Sequence, residues 1–460
     1  MGTLRVGLAK VDLTPPLPVL LDGYPHRDPA VDINDPIYAR SVVLDDGKIK
    51  ACHVCLDLCF VTAEQVKEIK REIEQETGIK EANVTISVTH NHSAPQIAGG
   101  FGLHHIKRKI EASPFNHEYA AMVNRLAAAS SIMAHARLAP AKVGFGRGSL
   151  EGISGNRRIY VNGEMRMYGI KGDWHSYAPE AYPDYSPHPI DPDVGVVRFD
   201  TLEGDPLGVV FNFTAHALAA GPSNRISGDY PAAACRTIER LYPGITPLFL
   251  QGACGNVHPR LNGRERSYEE AARKGRILAY ETMQTFETLD LSEEADMRVV
   301  ARRIELPYRQ PKPDLVVLRE SLARSRAQLD GAVPDSKEFH KAAITHINAY
   351  RDLKQWEYVE GSGRMGEESL VQVWAINDCA IVFVPGEVFV ELGLEIKQRA
   401  PQKLVLVAAY SHGLRHYIPV RKAYDEGGYE STYGTVFAPE AGERIVAAAL
   451  DLLDEVRHPE

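Results

Sequence analysis

The stretch Ser87-Val88-Thr89-His90-Asn91-His92-Ser93-Ala94-Pro95 constrains this chain more than any other. Upstream of it, Glu81-Ala82-Asn83-Val84-Thr85-Ile86 is β-branched and partly apolar; downstream come the proline and then Gly99-Gly100. A buried strand is therefore predicted to end in a loop that carries two histidines at its tip. Alternate residues of a strand face the same side, so His90 and His92 can converge on one point. Two imidazoles held in this way are candidates for metal binding or for acid–base work. Two polar residues decorating a loop is the plainer reading, and an H-x-H alone does not decide between them.

Such strand ends need a large core to hold them. The chain has 460 residues, 44% hydrophobic and 25% charged, the composition of a folded globular protein. No linker, internal repeat or low-complexity tract divides it. One domain over residues 1–460 is expected, with a helical hairpin inserted at about 311–360. The net charge of −9 argues against a nucleic-acid binder, which would carry a basic stripe. No apolar run approaches the length of a membrane span, and Met1-Gly2-Thr3-Leu4-Arg5-Val6 lacks the apolar region of a secretory signal. A cytoplasmic protein without stable membrane insertion is expected, acting on a small-molecule substrate, with a homo-oligomer left open. The cysteines show no disulfide-scaffold density. Cys52 and Cys55, three apart on a predicted strand, face opposite sides and read as core residues.

The order of elements predicts an α/β fold, a mixed β-sheet core flanked by helices. Strands are predicted over 37–44 and 49–61, joined at Asp45-Asp46-Gly47. Thr62 and Gln65 form a capping box that opens a helix running to Gly78, and a second helix fits 116–135. Residues 152–192 read as one long loop. Strands at 194–199 and 207–213 follow, the second leading to His216; then a helix at 231–242, a strand at 246–251 and the glycine loop 252–259. Ser267-x-x-Glu270 caps a helix to about Leu289. Strands at 371–376 and 380–384 lead to Pro385-Gly386-Glu387, where a helix is predicted to start at Glu387. A strand at 404–410, a Tyr- and Gly-rich loop to Gly434 and a helix at 440–456 complete the chain.

Four places thus share one design, in which a buried strand ends and a metal-competent or glycine-rich loop begins: His90, His216, Gly252 through His258, and Glu387. Open α/β sheets put their sites where strand ends converge. Two histidines and a glutamate suit an open zinc site with water in the remaining position, whose pKa zinc would lower to about 7. Alone, His216 would pass for a satisfied core histidine, and Glu387 for a carboxylate at a helix N-terminus.

Longer motifs join these places. They are Gly7-x-Ala9-x-x-Asp12-Leu13-Thr14-Pro15, Leu21-Asp22-Gly23-Tyr24, Leu56-Asp57-Leu58, Thr89-His90-Asn91-His92-Ser93-Ala94-Pro95, Gly155-Asn156-Arg157, Val194 through Asp200, Asn212-Phe213-Thr214-Ala215-His216, Ile226-Ser227-Gly228-Asp229-Tyr230 and Pro385-Gly386-Glu387. Together they resemble the neutral/alkaline (non-lysosomal) ceramidase family, whose catalytic domain is a zinc-dependent amidase. The resemblance covers nearly the whole chain. It implies that His90, His216 and Glu387 bind zinc, with Tyr417 as fourth ligand. It further implies Tyr429, twelve residues on, as a hydrogen-bond donor near the reacting carbonyl, His92 for proton transfer and Arg157 for the oxyanion.

Three departures stand out. The family's G-D-V-S-P-N loop reads Gly255-Asn256-Val257-His258-Pro259-Arg260 here, so a serine nucleophile at this position is excluded. His258 is left as a second acid–base group, a substrate hydrogen-bond donor or a plain loop residue. The chain ends soon after its last predicted helix, without the C-terminal β-sandwich usual in the family, and it shows no secretory signal. With Arg157, Arg158, Arg225 and His258 in or beside the site loops, these departures point to a polar substrate, anionic or sugar-like, rather than a two-tailed lipid. The expected activity is metal-hydroxide attack on an amide (N-acyl) bond. The alternatives are zinc-dependent cleavage of an ester, lactone or glycosidic bond, and a non-catalytic ceramidase-like binding protein.

Overall fold

The computed structural model describes residues 2–457 apart from 25–28, 99–113, 168–184, 261–264, 334–335 and 414–415. Gly99-Gly100 and the middle of the predicted 152–192 loop lie outside the described residues. Twelve strands form one mixed sheet. In chain order they are β1 (Arg5–Asp12), β2 (Tyr38–Asp45), β3 (Lys50–Leu56), β4 (Val84–Val88), β5 (Ala139–Ser149), β6 (Asp193–Thr201), β7 (Pro206–Phe213), β8 (Thr246–Gln251), β9 (Met297–Pro307), β10 (Gly366–Ile376), β11 (Cys379–Pro385) and β12 (Leu404–Ser411). Across the sheet they lie in the order β8-β7-β6-β5-β1-β2-β3-β4-β12-β11-β10-β9. The pairs β3/β4, β7/β8 and β11/β12 are parallel.

Side-chain alternation splits the apolar residues into two cores. Val196, Val209 and Val405 join the core shared with the helices, while their neighbours Val197, Val210 and Leu406 join the other. That second core draws Phe199 and Leu248 from one half of the sheet and Trp374 and Phe383 from the other. The sheet therefore folds back on itself, inner faces together, with helices outside. Asn212 ties the halves: its Nδ2 donates to Leu250 O on adjacent β8 (2.9 Å) and to Val407 O on β12 (3.1 Å). Cys52 and Cys55 fall into different cores, as their spacing predicts. All six cysteines are buried and free.

The helices include α1 (Ala63–Thr77), α2 (Pro114–Ala136), α3 (Asp229–Leu241), α4 (Tyr268–Glu287), α5 (Leu315–Asp330), α6 (Lys337–Ser362), α7 (Val390–Arg399), α8 (Arg421–Glu426) and α9 (Glu440–Arg457). The capping box of α1 is present in both directions, Gln65 N to Thr62 Oγ1 and Thr62 N to Gln65 Oε1, and the helix stops at left-handed Gly78 (φ 73°). Helices α5 and α6 pack as the predicted hairpin. No helix among the described residues is long and apolar enough to cross a membrane.

The structure differs from the sequence reading in five places. Strand β3 stops at Leu56 rather than running to Val61. Strands β5 and β9 lie where none was predicted. In β5 the alternating Gly144, Gly146 and Gly148 mask the β signal; a Cβ at each would strike the α4 end or the loop after it, so they admit close packing. The 152–192 segment is not structureless. Ser154–Asn156 pairs with Val257–Pro259, and Arg158–Val161 is flanked by Glu164–Met167 and Tyr185–Pro187 in a small sheet. Finally, Glu387 does not begin a helix. Glu387–Val388 is a short strand, and α7 starts at Val390.

Candidate metal centre

Five chain segments meet where β4, β7, β8, β11 and β12 end. After Val88 the backbone leaves the ladder, and His90 takes a left-handed conformation (φ 54°), uncommon for a residue with a Cβ. His90 and His92 do converge, with rings 4.7 Å apart and Nε2 atoms 3.1 Å apart. This turn brings them together, not the strand alternation invoked from sequence. Asn91, fully buried between them, locks it. Its Nδ2 donates to Ser227 O (2.6 Å), its Oδ1 accepts from Ser93 N (2.9 Å), and His92 N donates to Ala217 O (3.0 Å).

Backbone carbonyls set the histidine tautomers. His90 Nδ1 lies 3.1 Å from Cys59 O, and His216 Nδ1 lies 2.7 Å from Cys254 O. A carbonyl only accepts, so each Nδ1 carries the proton and each Nε2 a lone pair. Both Nε2 atoms sit 3.3 Å from the same atom, Glu387 Oε2. Burial lowers the His216 pKa to about 4, so that ring is neutral at physiological pH. Burial raises the Glu387 carboxyl; only positive charge at the His90 and His216 Nε2 positions, which their neutral tautomers lack, brings it well below the usual carboxylate range. His216 Nε2 and Glu387 Oε2 are buried and have no hydrogen-bond partner among the described residues. Three lone-pair-bearing atoms facing one another at this spacing leave room for a cation. Ligands at about 2.0–2.1 Å in a tetrahedron lie about 3.3 Å apart.

Tyr417 joins from the side. Strand Glu387–Val388 pairs in parallel with Tyr417–Ile418, and Glu387 is opposite Tyr417 in the register, which sets their side chains on one face. The Tyr417 and Tyr429 hydroxyls are 3.1 Å apart. Burial, then the Glu387 carboxylate, pushes the Tyr417 phenol well above its ordinary pKa. His92 stands apart from this set. The donor atoms of His90, His216 and Glu387 lie within 4.8 Å of one another, whereas His92 groups with Cys59 and His90.

Arg157 and His258 form the adjoining wall. Fully buried, Arg157 donates from Nε to Glu430 Oε1 (2.8 Å), from Nη1 to His258 Nε2 (2.6 Å) and from Nη2 to Gly255 O. Its guanidinium lies 4.9 Å from the Tyr429 ring centre and 5.3 Å from that of Tyr417. Burial, then the charge of Arg157, drives the His258 pKa well below its ordinary value.

Sequence reasoning assigned no role to Glu430, Tyr410 or Cys254. Glu430 is fully buried and is shared by Arg157 and Arg158. Tyr410 stacks on His90 at 4.1 Å and contacts Cys254 Sγ at 3.1 Å. The signal for Glu430 was available, since two adjacent arginines in a buried site require a carboxylate. Neither Arg158 nor Arg225 pairs with His90, His216 or Glu387 among the described residues. Arg158 is held by Glu430 and Glu426, and Arg225 pairs with Asp32 at the surface. Asp229, its pKa raised to about 6 by burial, accepts from Ala219 N and Ala220 N. A cleft of about 720 Å³ opens elsewhere, between α6 and the tyrosine loop, lined by Tyr308, Arg309, Trp356, Tyr424 and Tyr433.

Residues 4–272, more than half the chain, match the model of the neutral/alkaline non-lysosomal ceramidase N-terminal region. The chain belongs to this family. The matched span of this ceramidase-family chain holds His90, His92, Arg157, His216 and His258; Glu387, Tyr417 and Tyr429 lie beyond it. The chain is 27% identical over 269 residues to a neutral ceramidase of Pseudomonas aeruginosa, covering 56% of this chain and 37% of that one. It is 24% identical over 234 residues to neutral ceramidase B of Dictyostelium discoideum, covering 48% and 30%. It thus spans well under half the length of these two curated relatives. The solved structure of the Pseudomonas aeruginosa neutral ceramidase superposes with a TM-score of 0.70 at 20% identity, over 99% of this chain and 75% of that one. A ceramidase complexed with C2 gives 0.71 at 18% identity, over 99% and 76%. The mixed α/β fold is the family's.

Proposed function

We propose that this ceramidase-family chain is a zinc-dependent hydrolase of amide (N-acyl) bonds in a polar small molecule. His90, His216, Glu387 and Tyr417 would hold the metal. One observation carries the reading: His90 and His216, their Nδ1 protons committed to backbone carbonyls, turn their Nε2 lone pairs toward a single Glu387 oxygen at 3.3 Å. Outer hydrogen bonds of this kind fix ligand orientation in metal sites. Zinc, when bound, supplies a Lewis acid that lowers the pKa of a bound water to about 7.

The chain's own residues do the rest. His92 Nε2, 3.1 Å from His90 Nε2, lies beside the reacting centre and passes a proton to the leaving amine. The Tyr429 hydroxyl, held against Tyr417, donates to the developing oxyanion. Arg157 adds positive charge behind both rings. Burial strengthens these electrostatic effects by excluding water.

Metal analysis tests the proposal, together with hydrolysis of N-acyl amide, ester and glycoside panels before and after chelation. The proposal expects about one zinc per chain and amide hydrolysis lost on chelation and restored by zinc. A metal-free chain whose stability is unchanged by chelator would sink it. Turnover of glycosides alone would overturn the amide assignment.

A further inference from the structure

We propose that His258 is a substrate-specificity residue, a neutral imidazole whose Nδ1–H donates to an acceptor oxygen, hydroxyl or carboxylate, carried by the substrate beside its scissile amide. This rests on the hydrolase reading above and narrows its substrate class.

The tautomer follows from the partner. Arg157 Nη1 is 2.6 Å from His258 Nε2. A guanidinium carries donors only and stays charged. Nε2 must therefore accept, which puts the ring's single proton on Nδ1. Arg157 is not free to turn away, because Glu430 holds its Nε and the Gly255 carbonyl its Nη2. The histidine is equally fixed. Val257–Pro259 pairs with Ser154–Asn156, and the His258 ring lies edge-on to His216 with centroids 5.2 Å apart. Its Nδ1 is buried and has no hydrogen-bond partner among the described residues. Buried donors are rarely left so, and the ring that carries this one lies against the candidate ligand His216.

The chemistry differs from that of a serine hydroxyl in the same loop. A hydroxyl rotates and can donate or accept; this imidazole only donates, in a fixed direction, and Arg157 behind it polarises the N–H. A substrate without an acceptor oxygen leaves the donor unpaired, and a site built on a polar partner discriminates against such an analogue.

Two measurements test this. Hydrolysis is compared for N-acetylethanolamine, N-acetylglycine and N-propylacetamide, the last lacking the acceptor oxygen. The parent should favour one of the first two by roughly 5- to 150-fold in kcat/KM, and which of them leads assigns hydroxyl or carboxylate. H258N, whose amide nitrogen falls near the Nδ1 position, should keep the preference; H258Q and H258F should lose it. An equal preference in H258F overturns the proposal. Independently, the ¹⁵N resonances of His258, assigned with H258N, should report a proton on Nδ1 in the parent; a proton on Nε2 overturns the proposal whatever the kinetics. A metal-free parent that turns over none of the three probes overturns the hydrolase reading, and this proposal with it.

Discussion

Two imidazole lone pairs and a carboxylate oxygen repel one another unless positive charge sits among them. His90, His216 and Glu387 are buried together in that arrangement. Removing one donor should therefore act on metal affinity first. Glu387→Gln keeps the shape and removes the charge; it and His216→Ala should each weaken zinc binding by more than about 100-fold, read by competition with a chelator. Glu430 makes a different prediction. Fully buried, it balances Arg157 and Arg158. Glu430→Ala leaves buried positive charge uncompensated and should destabilise the protein by about 3–5 kcal/mol, measured by urea unfolding. That His90, His92, His216 and Glu387 each follow a strand end was legible in the sequence; for His216 and Glu387 the residues alone did not point to metal binding, and that expectation came from the family resemblance. The Arg157–His258 pair was not legible, because residues 101 positions apart meet only when Val257–Pro259 pairs with Ser154–Asn156.

Elements place these side chains through backbone contacts. Gly255 shows how tightly: a Cβ there would strike the backbone carbonyls of Glu387 and Val388. Neither can yield without moving a metal-ligand candidate. Gly255→Ala should cost about 1–3 kcal/mol and weaken zinc affinity at least about tenfold, measured by thermal unfolding with and without zinc. Strands β3 and β4 carry a pH-dependent contact, His53 Nε2 to Ser87 Oγ at 2.8 Å. Burial lowers the His53 pKa to about 3. The unfolded chain then binds the proton more readily, so the His53 contribution is intact above about pH 6.5 and falls as pH drops toward 3. The slope is up to about 1.4 kcal/mol per pH unit. Buried Asp57, raised to about 6, acts in the opposite sense below that pH, so only a difference isolates His53. His53→Gln should lose less stability than the parent between pH 7 and pH 5 in urea titrations. Helix α1 was legible to its caps, since Thr62, Gln65 and Gly78 carry local signals. Strand β5 was not, because its glycines serve packing against the α4 region rather than its own ladder.

At the scale of the whole molecule, the mixed α/β class followed from the alternation of strands and helices. The fold-back of the sheet did not, because it depends on contacts between distant strands, such as Asn212 with Val407. A single strand's pattern shows that both faces are buried, not what covers each. The fold-back positions β7, β8, β11 and β12 so that His216, the Gly255 loop, Glu387 and Tyr417 reach one point. Anomalous diffraction at the zinc edge, from crystals of the intact chain grown with zinc, tests this convergence most directly. The account predicts one peak about 2.0–2.2 Å from His90 Nε2, His216 Nε2, a Glu387 oxygen and the Tyr417 hydroxyl. The absence of a peak there, or a peak held instead by Cys59, His90 and His92, would contradict it.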